Sequence, residues 1–264
     1  MMTLGSLLQG WSIFLLIFCR ITAFFVVSPI FSARNVPNSF KIGFSTMVAV
    51  LIFFVQDVNT PLPTDLNYAL MVIREVLIGL LMGYVVALMF AVIQMAGSFI
   101  DIQIGFGIAN VIDPMTGTTA PVIGNFKYIF AVLVFLGMNG HHYLIDAVVR
   151  SYNWIPLDNE LFQRIYQGNV SEFLIRTFGN AFLLSFQMAA PLVAALFLTD
   201  VALGFLARSA PQFNVFVIGI PLKIIVGIIV LLLLVPSFTY AFEQLFAVLF
   251  KSLQGLFGTI GERP

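Results

Sequence analysis

Ile100-Asp101-Ile102-Gln103-Ile104-Gly105-Phe106-Gly107-Ile108-Ala109-Asn110-Val111-Ile112-Asp113-Pro114-Met115-Thr116-Gly117-Thr118-Thr119-Ala120-Pro121 interrupts a chain that is 60% hydrophobic. With Gly97 just upstream it gathers four glycines, two prolines, Asp101, Gln103 and Asp113 between two apolar segments. In a membrane protein, a break of this kind lies in water, or is buried in protein, or lines a cavity, because bare backbone polar groups are not tolerated in lipid. The apolar residues between its polar points make open water the poorer setting.

The rest of the sequence makes a membrane setting the natural one. Its 264 residues include 29 phenylalanines and only 9% charged residues, and the mean hydropathy is +1.04, far outside the soluble range. Twelve basic and twelve acidic residues cancel, which leaves no basic surface for nucleic acid and no polybasic tail for anionic lipid. Cys19 is alone inside an apolar run and reads as a small buried hydrophobe. The first apolar run has no positive n-region and no clear cleavage site, so it is expected to be retained. Lys and Arg divide almost evenly between alternate loops, and the positive-inside rule gives no orientation.

Six apolar segments are expected to form helices: Trp11 to Phe31, Ile42 to Val55, Val76 to Ile100, Tyr128 to Val149, Phe178 to Thr199 and Val215 to Tyr240. The second is short against the ~20 residues of a usual span. Arg20, Arg74, Glu75, Lys127, Arg176 and Lys223 lie in or against these runs. A central Arg or Lys facing lipid costs roughly 2.5–3.5 kcal/mol, so such residues are expected to face protein or water. Gly79, Gly83, Ala87 and Ala91 recur every four residues, and Gln94, Ser98 and Asp101 continue the same arc. Small residues at this spacing allow two helix backbones to approach, so the face is expected to pack on another helix and to serve assembly. Gly219, Lys223 and Gly227 place a cation between two glycines on one face of the last segment, an address for a carboxylate or carbonyl. Pro191 and Pro236 are expected to kink or break their helices. Asp101-x-x-x-Gly105-Phe106 is echoed by Asp200-x-x-x-Gly204-Phe205, a weak sign of an internal repeat. No stretch has the composition of a separate soluble domain, and 1–264 reads as one domain.

No catalytic set emerges. A G-x-x-x-x-G-K-[ST] phosphate loop is missing, and Gly105-Phe106-Gly107 lacks the third glycine of a dinucleotide fingerprint. His141 and His142 are adjacent, so on a helix they diverge by ~100° and cannot chelate one metal as an i, i+4 pair. Asn139-Gly140-His141-His142 reads instead as a polar break after a helix, with Gly140 able to supply a left-handed cap. The residues alone leave three readings: a subunit of a transport complex, a stand-alone secondary transporter built on broken helices at Ile100 to Pro121 and Ala210 to Pro221, and an intramembrane enzyme using Asp101, Asp113 or His142.

A family resemblance adds to this. Arg20, Ser28-Pro29-Ile30-Phe31, Pro37 and Lys41 fit near the N terminus; Gln94, Gly97, Asp101-x-Gln103-x-Gly105-Phe106-Gly107-x-Ala109-Asn110, Asp113-Pro114, Gly117, Pro121, Gly124 and Phe126 fit in the middle. Asn139-Gly140-His141-His142 follows, then Asp200, Gly204, Pro211-Gln212-Phe213-Asn214-Val215-Phe216 and Gly219-Ile220-Pro221-Leu222-Lys223. On these residues the chain resembles, end to end, the FliR family of integral membrane subunits of the flagellar type III protein export gate, with counterparts in virulence secretion. The resemblance implies an all-α membrane protein with kinked helices and helical hairpins, a FliP-like part over about 1–200 that includes the 100–121 loop, and a FliQ-like hairpin over 201–264. It implies a non-enzymatic channel subunit without cofactor or metal, in the bacterial cytoplasmic membrane at the flagellar basal body. Its implied partners are FliP, FliQ, FlhB and FlhA, with unfolded flagellar proteins in transit. The family's corresponding loop plugs the resting channel, which assigns that role to Gly105, Phe106, Gly107, Ile108, Ala109, Asn110, Val111, Ile112, Asp113, Pro114, Gly117 and Pro121. Apolar Phe106, Ile108, Val111 and Ile112 suit a seal that excludes water, and the glycines suit a backbone that must move aside.

Overall fold

The computed structural model describes residues 4–33, 35–55, 66–106, 121–212 and 214–261. Among them every regular element is a helix: α1 (Leu4–Val27), α2 (Asn38–Val55), α3 (Leu66–Ile104), α4 (Val122–Gly137), α5 (Gly140–Trp154), α6 (Leu161–Tyr166), α7 (Asn169–Ser209) and α8 (Val215–Ile260). The protein is thus an all-α, multi-helix membrane protein. Five helices, α1, α2, α3, α7 and α8, are long and apolar enough to cross a membrane, while α4 and α5 meet that test only as a pair.

The boundaries follow from local chemistry. Helix α1 stops at Val27 just before Ser28-Pro29, as expected where the residue preceding a proline is pushed out of helical geometry. Pro37 then opens α2, its carbonyl accepting from the N–H groups of Phe40 and Lys41. The expected fourth segment is divided after Met138, and the left-handed residue at the break is Asn139 (φ 57°). Gly140, expected to supply that cap, instead begins α5. Asparagine reaches this region because its short polar side chain tolerates it. The prolines leave their helices unbroken. Helix α7 runs through Pro191, and α8 through both Pro221 and Pro236. Each costs one backbone hydrogen bond, but in apolar surroundings the neighbouring peptide groups have no alternative partner outside the helix, so the helix continues.

The chain forms two compact units, one of Met1–Leu88, Asn139–Thr177 and Val248–Pro264, the other of Met89–Met138 and Phe178–Ala247. In the first, α3 lies directly against α1. A Cβ added to Gly79 would stand 2.2 Å from the Arg20 carbonyl oxygen, and one added to Gly83 would stand 2.8 Å from Val27 Cβ. Only glycine permits this approach. Close beside it lies a fully buried ion pair: Arg20 Nε donates to Glu75 Oε2 at 2.6 Å and Nη2 to Oε1 at 2.9 Å. The remaining donors reach Ser151 Oγ at 3.1 Å and the Ile155 carbonyl at 2.9 Å, with the guanidinium 4.0 Å from the centroid of Tyr152. Two buried charges are tolerable only with this degree of pairing. Arg74, one residue before Glu75, donates to the carbonyls of Leu157 and Asn159, and Asn159 Oδ1 accepts from the Leu161 N–H at the start of α6.

The second unit is bound by aromatic side chains. Phe90, Phe135 and Phe246 form a cluster with centroids 4.7 to 5.6 Å apart. Phe99 meets Phe182 and Phe186 edge-on. These contacts hold α3, α4, α7 and α8 around the residues that flank the 100–121 stretch.

Candidate functional site

The described flanks of this stretch belong to the second unit and meet at Asp101. Helix α3 ends at Ile104. Gly105 follows at φ 102°, a conformation suited to glycine, and its N–H returns to the carbonyls of Asp101 and Ile102, both at 3.2 Å. Phe106 is the last described residue on this side, and Gly107, Ile108, Ala109, Asn110, Val111, Ile112, Asp113, Pro114 and Gly117 lie outside the described residues.

The chain is described again at Pro121, the N-cap of α4, which has extended backbone (φ −62°, ψ 122°) and no side chain able to cap. A helix N-terminus leaves backbone N–H groups unpaired. Asp101 supplies the missing acceptor from α3: Oδ1 accepts from the Ile123 N–H at 3.1 Å and Oδ2 from the Gly124 N–H at 3.4 Å. Asp101 is 6% exposed, and its carboxylate faces the positive end of the α4 dipole. The same helices touch through their backbones. A Cβ on Gly97 would stand 2.1 Å from Gly124 Cα, so glycine is required at this crossing. Asp101 therefore fastens both ends of the intervening segment, through its backbone carbonyl on the Gly105 side and its carboxylate on the α4 side.

A second polar group lies beside Gly105. Lys223 on α8 pairs with Asp200 on α7, Nζ to Oδ1 at 2.9 Å, and Gln103 Nε2 on α3 donates to Asp200 Oδ2 at 2.8 Å. The group stands at the wall of a cavity of about 360 Å³ shared by Gly105, Leu203, Gly204, Gly219 and Ile220. Gly219 contacts Leu203, and Gly227 is pressed against Ile104, 2.9 Å from Cδ1 to the position of an added Cβ. Lys223 thus finds its carboxylate within the chain. Asp200 and Gly204 do not repeat the Asp101 and Gly105 arrangement, because α7 continues past Gly204 to Ser209.

The other expected residues are more dispersed. Gly79 and Gly83 lie in the first unit against α1, Ala87 and Ala91 are half-buried, and Gln94 is exposed. His141 and His142 rings are 4.1 Å apart, and no group of three or more His, Cys, Asp or Glu side chains able to hold a metal occurs among the described residues. Sequence reasoning did not foresee Asp200 as the partner of Lys223, nor Glu75 as that of Arg20. For Asp101, the signal was the helix start at Pro121 to Gly124, which has no capping side chain of its own.

Comparison with known proteins fits this geometry. Residues 11–249 match the family described as Bacterial export proteins, family 1. Among similar proteins, the flagellar biosynthetic protein FliR of Bacillus subtilis (strain 168) is 42% identical over 98% of this chain and 99% of its own. The FliR of Escherichia coli (strain K12) is 33% identical over 93% and 91%. The surface presentation of antigens protein SpaR of Shigella flexneri is 26% identical over 97% and 99%. The match spans both units and the whole 100–121 stretch, and the chain belongs to the FliR family of bacterial export proteins.

Proposed function

We propose that this integral membrane subunit of the flagellar export apparatus is a non-enzymatic channel subunit of the export gate, passing unfolded flagellar proteins across the cytoplasmic membrane at the basal body, and that residues 105–121 plug the resting channel. The observation that carries the plug reading is the double fastening at Asp101. With Gly105 and the start of α4 both held at Asp101, movement of the segment between them would leave α3 and α4 in place. Its sequence supplies the apolar side chains a dewetted seal needs.

The partners in this reading are FliP, FliQ, FlhB and FlhA. Residues 1–200 correspond to a FliP-like part and 201–264 to a FliQ-like hairpin. The face bearing Gly79, Gly83, Ala87, Gln94 and Asp101, and that bearing Gly219, Lys223 and Gly227, position the helices that mount the loop. Large apolar side chains exposed along α7 and α8, such as Phe178, Phe186, Phe197, Ile225 and Leu233, supply surface for lipid or neighbouring subunits. A stand-alone transporter has less support, since α8 begins at Val215, inside its second broken segment, and runs on through Pro221. Deleting Val111 to Thr116 is expected to leave the complex assembled but leaky, read as slowed growth and dye entry into cells. Unchanged permeability in an assembled complex would refute the plug.

A further inference from the structure

Two cations are fully buried among the described residues, Arg20 and Lys127. Arg20 is satisfied by a carboxylate, a hydroxyl and a carbonyl. Among the described residues Lys127 Nζ has no hydrogen-bond acceptor, and it lies over the ring of Phe238, 5.0 Å from the centroid. A ring face attracts an ammonium but does not replace the hydrogen bonds that its three N–H groups make in water. The position adds to the cost: Lys127 lies in the second turn of α4, and helical side chains lean toward the N-terminus, where the dipole repels a cation. The Asp101 carboxylate is engaged with the first-turn N–H groups of α4.

The covering ring also sits at a weak point. Phe238 follows Pro236 by two residues, and Pro236 cannot donate to the carbonyl one turn earlier, so α8 is most easily bent beside the ring that covers Lys127. We propose that Lys127 is a docking residue: in the assembled complex α8 yields at Pro236, and a carboxylate from a neighbouring chain takes the place of Phe238 over the ammonium. A buried charge without an acceptor among the described residues is the arrangement expected of a group whose partner arrives on assembly. The inference rests on the reading of this chain as one subunit of a multi-chain gate.

The test is a pair of measurements on Lys127→Met, which keeps the volume and removes the charge. In the full chain alone in detergent, the substitution is expected to raise the thermal midpoint, because a buried group without an acceptor is replaced by an apolar one. In the complex co-expressed with its partners, it is expected to cut the fraction surviving detergent challenge about tenfold, while Lys127→Arg retains it. A complex that is unchanged or strengthened by Lys127→Met would overturn the proposal, as would a lowered midpoint in the chain alone, which would place the acceptor within this chain. Lys127→Gln still donates to a neutral carbonyl, so rescue by Gln would overturn the assignment to a carboxylate. If the unsubstituted chain recruits no partner at all, the subunit reading itself fails, and this inference with it.

Discussion

Replacing Asp101 with Ala removes the acceptor shared by the Ile123 and Gly124 N–H groups while leaving its backbone carbonyl free to hold Gly105. Loss of an N-cap costs ~0.5–2 kcal/mol, and a hydrogen bond to a charged group contributes ~1.5–3 kcal/mol. The 3.4 Å contact is long and adds little to the 3.1 Å one. A cost of about 2 kcal/mol to the first turn of α4 follows, and at ~1.4 kcal/mol per factor of ten this is a roughly 30-fold rise in local opening. Hydrogen–deuterium exchange, read by mass spectrometry on a peptide covering Val122 to Phe126, measures it directly. Asp101→Asn keeps one acceptor oxygen and loses the charge, so its exchange should fall between those of the parent and Asp101→Ala, near ~1 kcal/mol. Unaltered exchange in Asp101→Ala would show that the Gly97 and Gly124 backbone contact alone holds the helix start, and the tethering argument would fail.

Two further outcomes follow from the first unit. Gly83→Leu forces a side chain where a Cβ already lies 2.8 Å from Val27 Cβ and 3.1 Å from the Phe24 carbonyl oxygen, and overpacking of this kind costs ~1–3 kcal/mol or more; the protein should lose thermal stability, whereas Gly43→Leu, with nothing within 4 Å, should not. Arg20→Met strands Glu75 without its cation and should destabilise by ~3–5 kcal/mol, while Arg20→Met with Glu75→Leu should recover most of the loss; a double variant no better than the single one would refute the pairing.

How much of this is legible in the sequence depends on the range of the interaction. Gly79 and Gly83 announce a close helix approach because their spacing is a property of one helix, although which helix they meet is not written there. Arg20 and Glu75 each look anomalous inside an apolar run, yet their pairing across 55 positions depends on how α1 and α3 pack. Pro191 and Pro236 mark points of weakness in their helices but do not end them, because a local preference against helix is outweighed when the neighbouring backbone has nothing else to bond. Asn139 displaces Gly140 because glycine is the usual left-handed residue but not the only one able to adopt that geometry. At Asp101, sequence shows a polar residue at the end of a small-residue face, while the uncapped helix it serves begins only after the candidate loop. Family resemblance is the source of the role proposed for 105–121, and the chemistry of its anchors came from the fold.

The central claim is that residues 105–121 stand in the path of the exported polypeptide. A photo-activated crosslinker placed at Ile112, in a gate complex loaded with an export substrate stalled in transit, tests it most directly. The account predicts a covalent adduct between this chain and the stalled substrate, formed on illumination and missing when no substrate is loaded. A substrate demonstrably held in the gate that gives no adduct from Ile112, or from neighbouring positions along the loop, would contradict it.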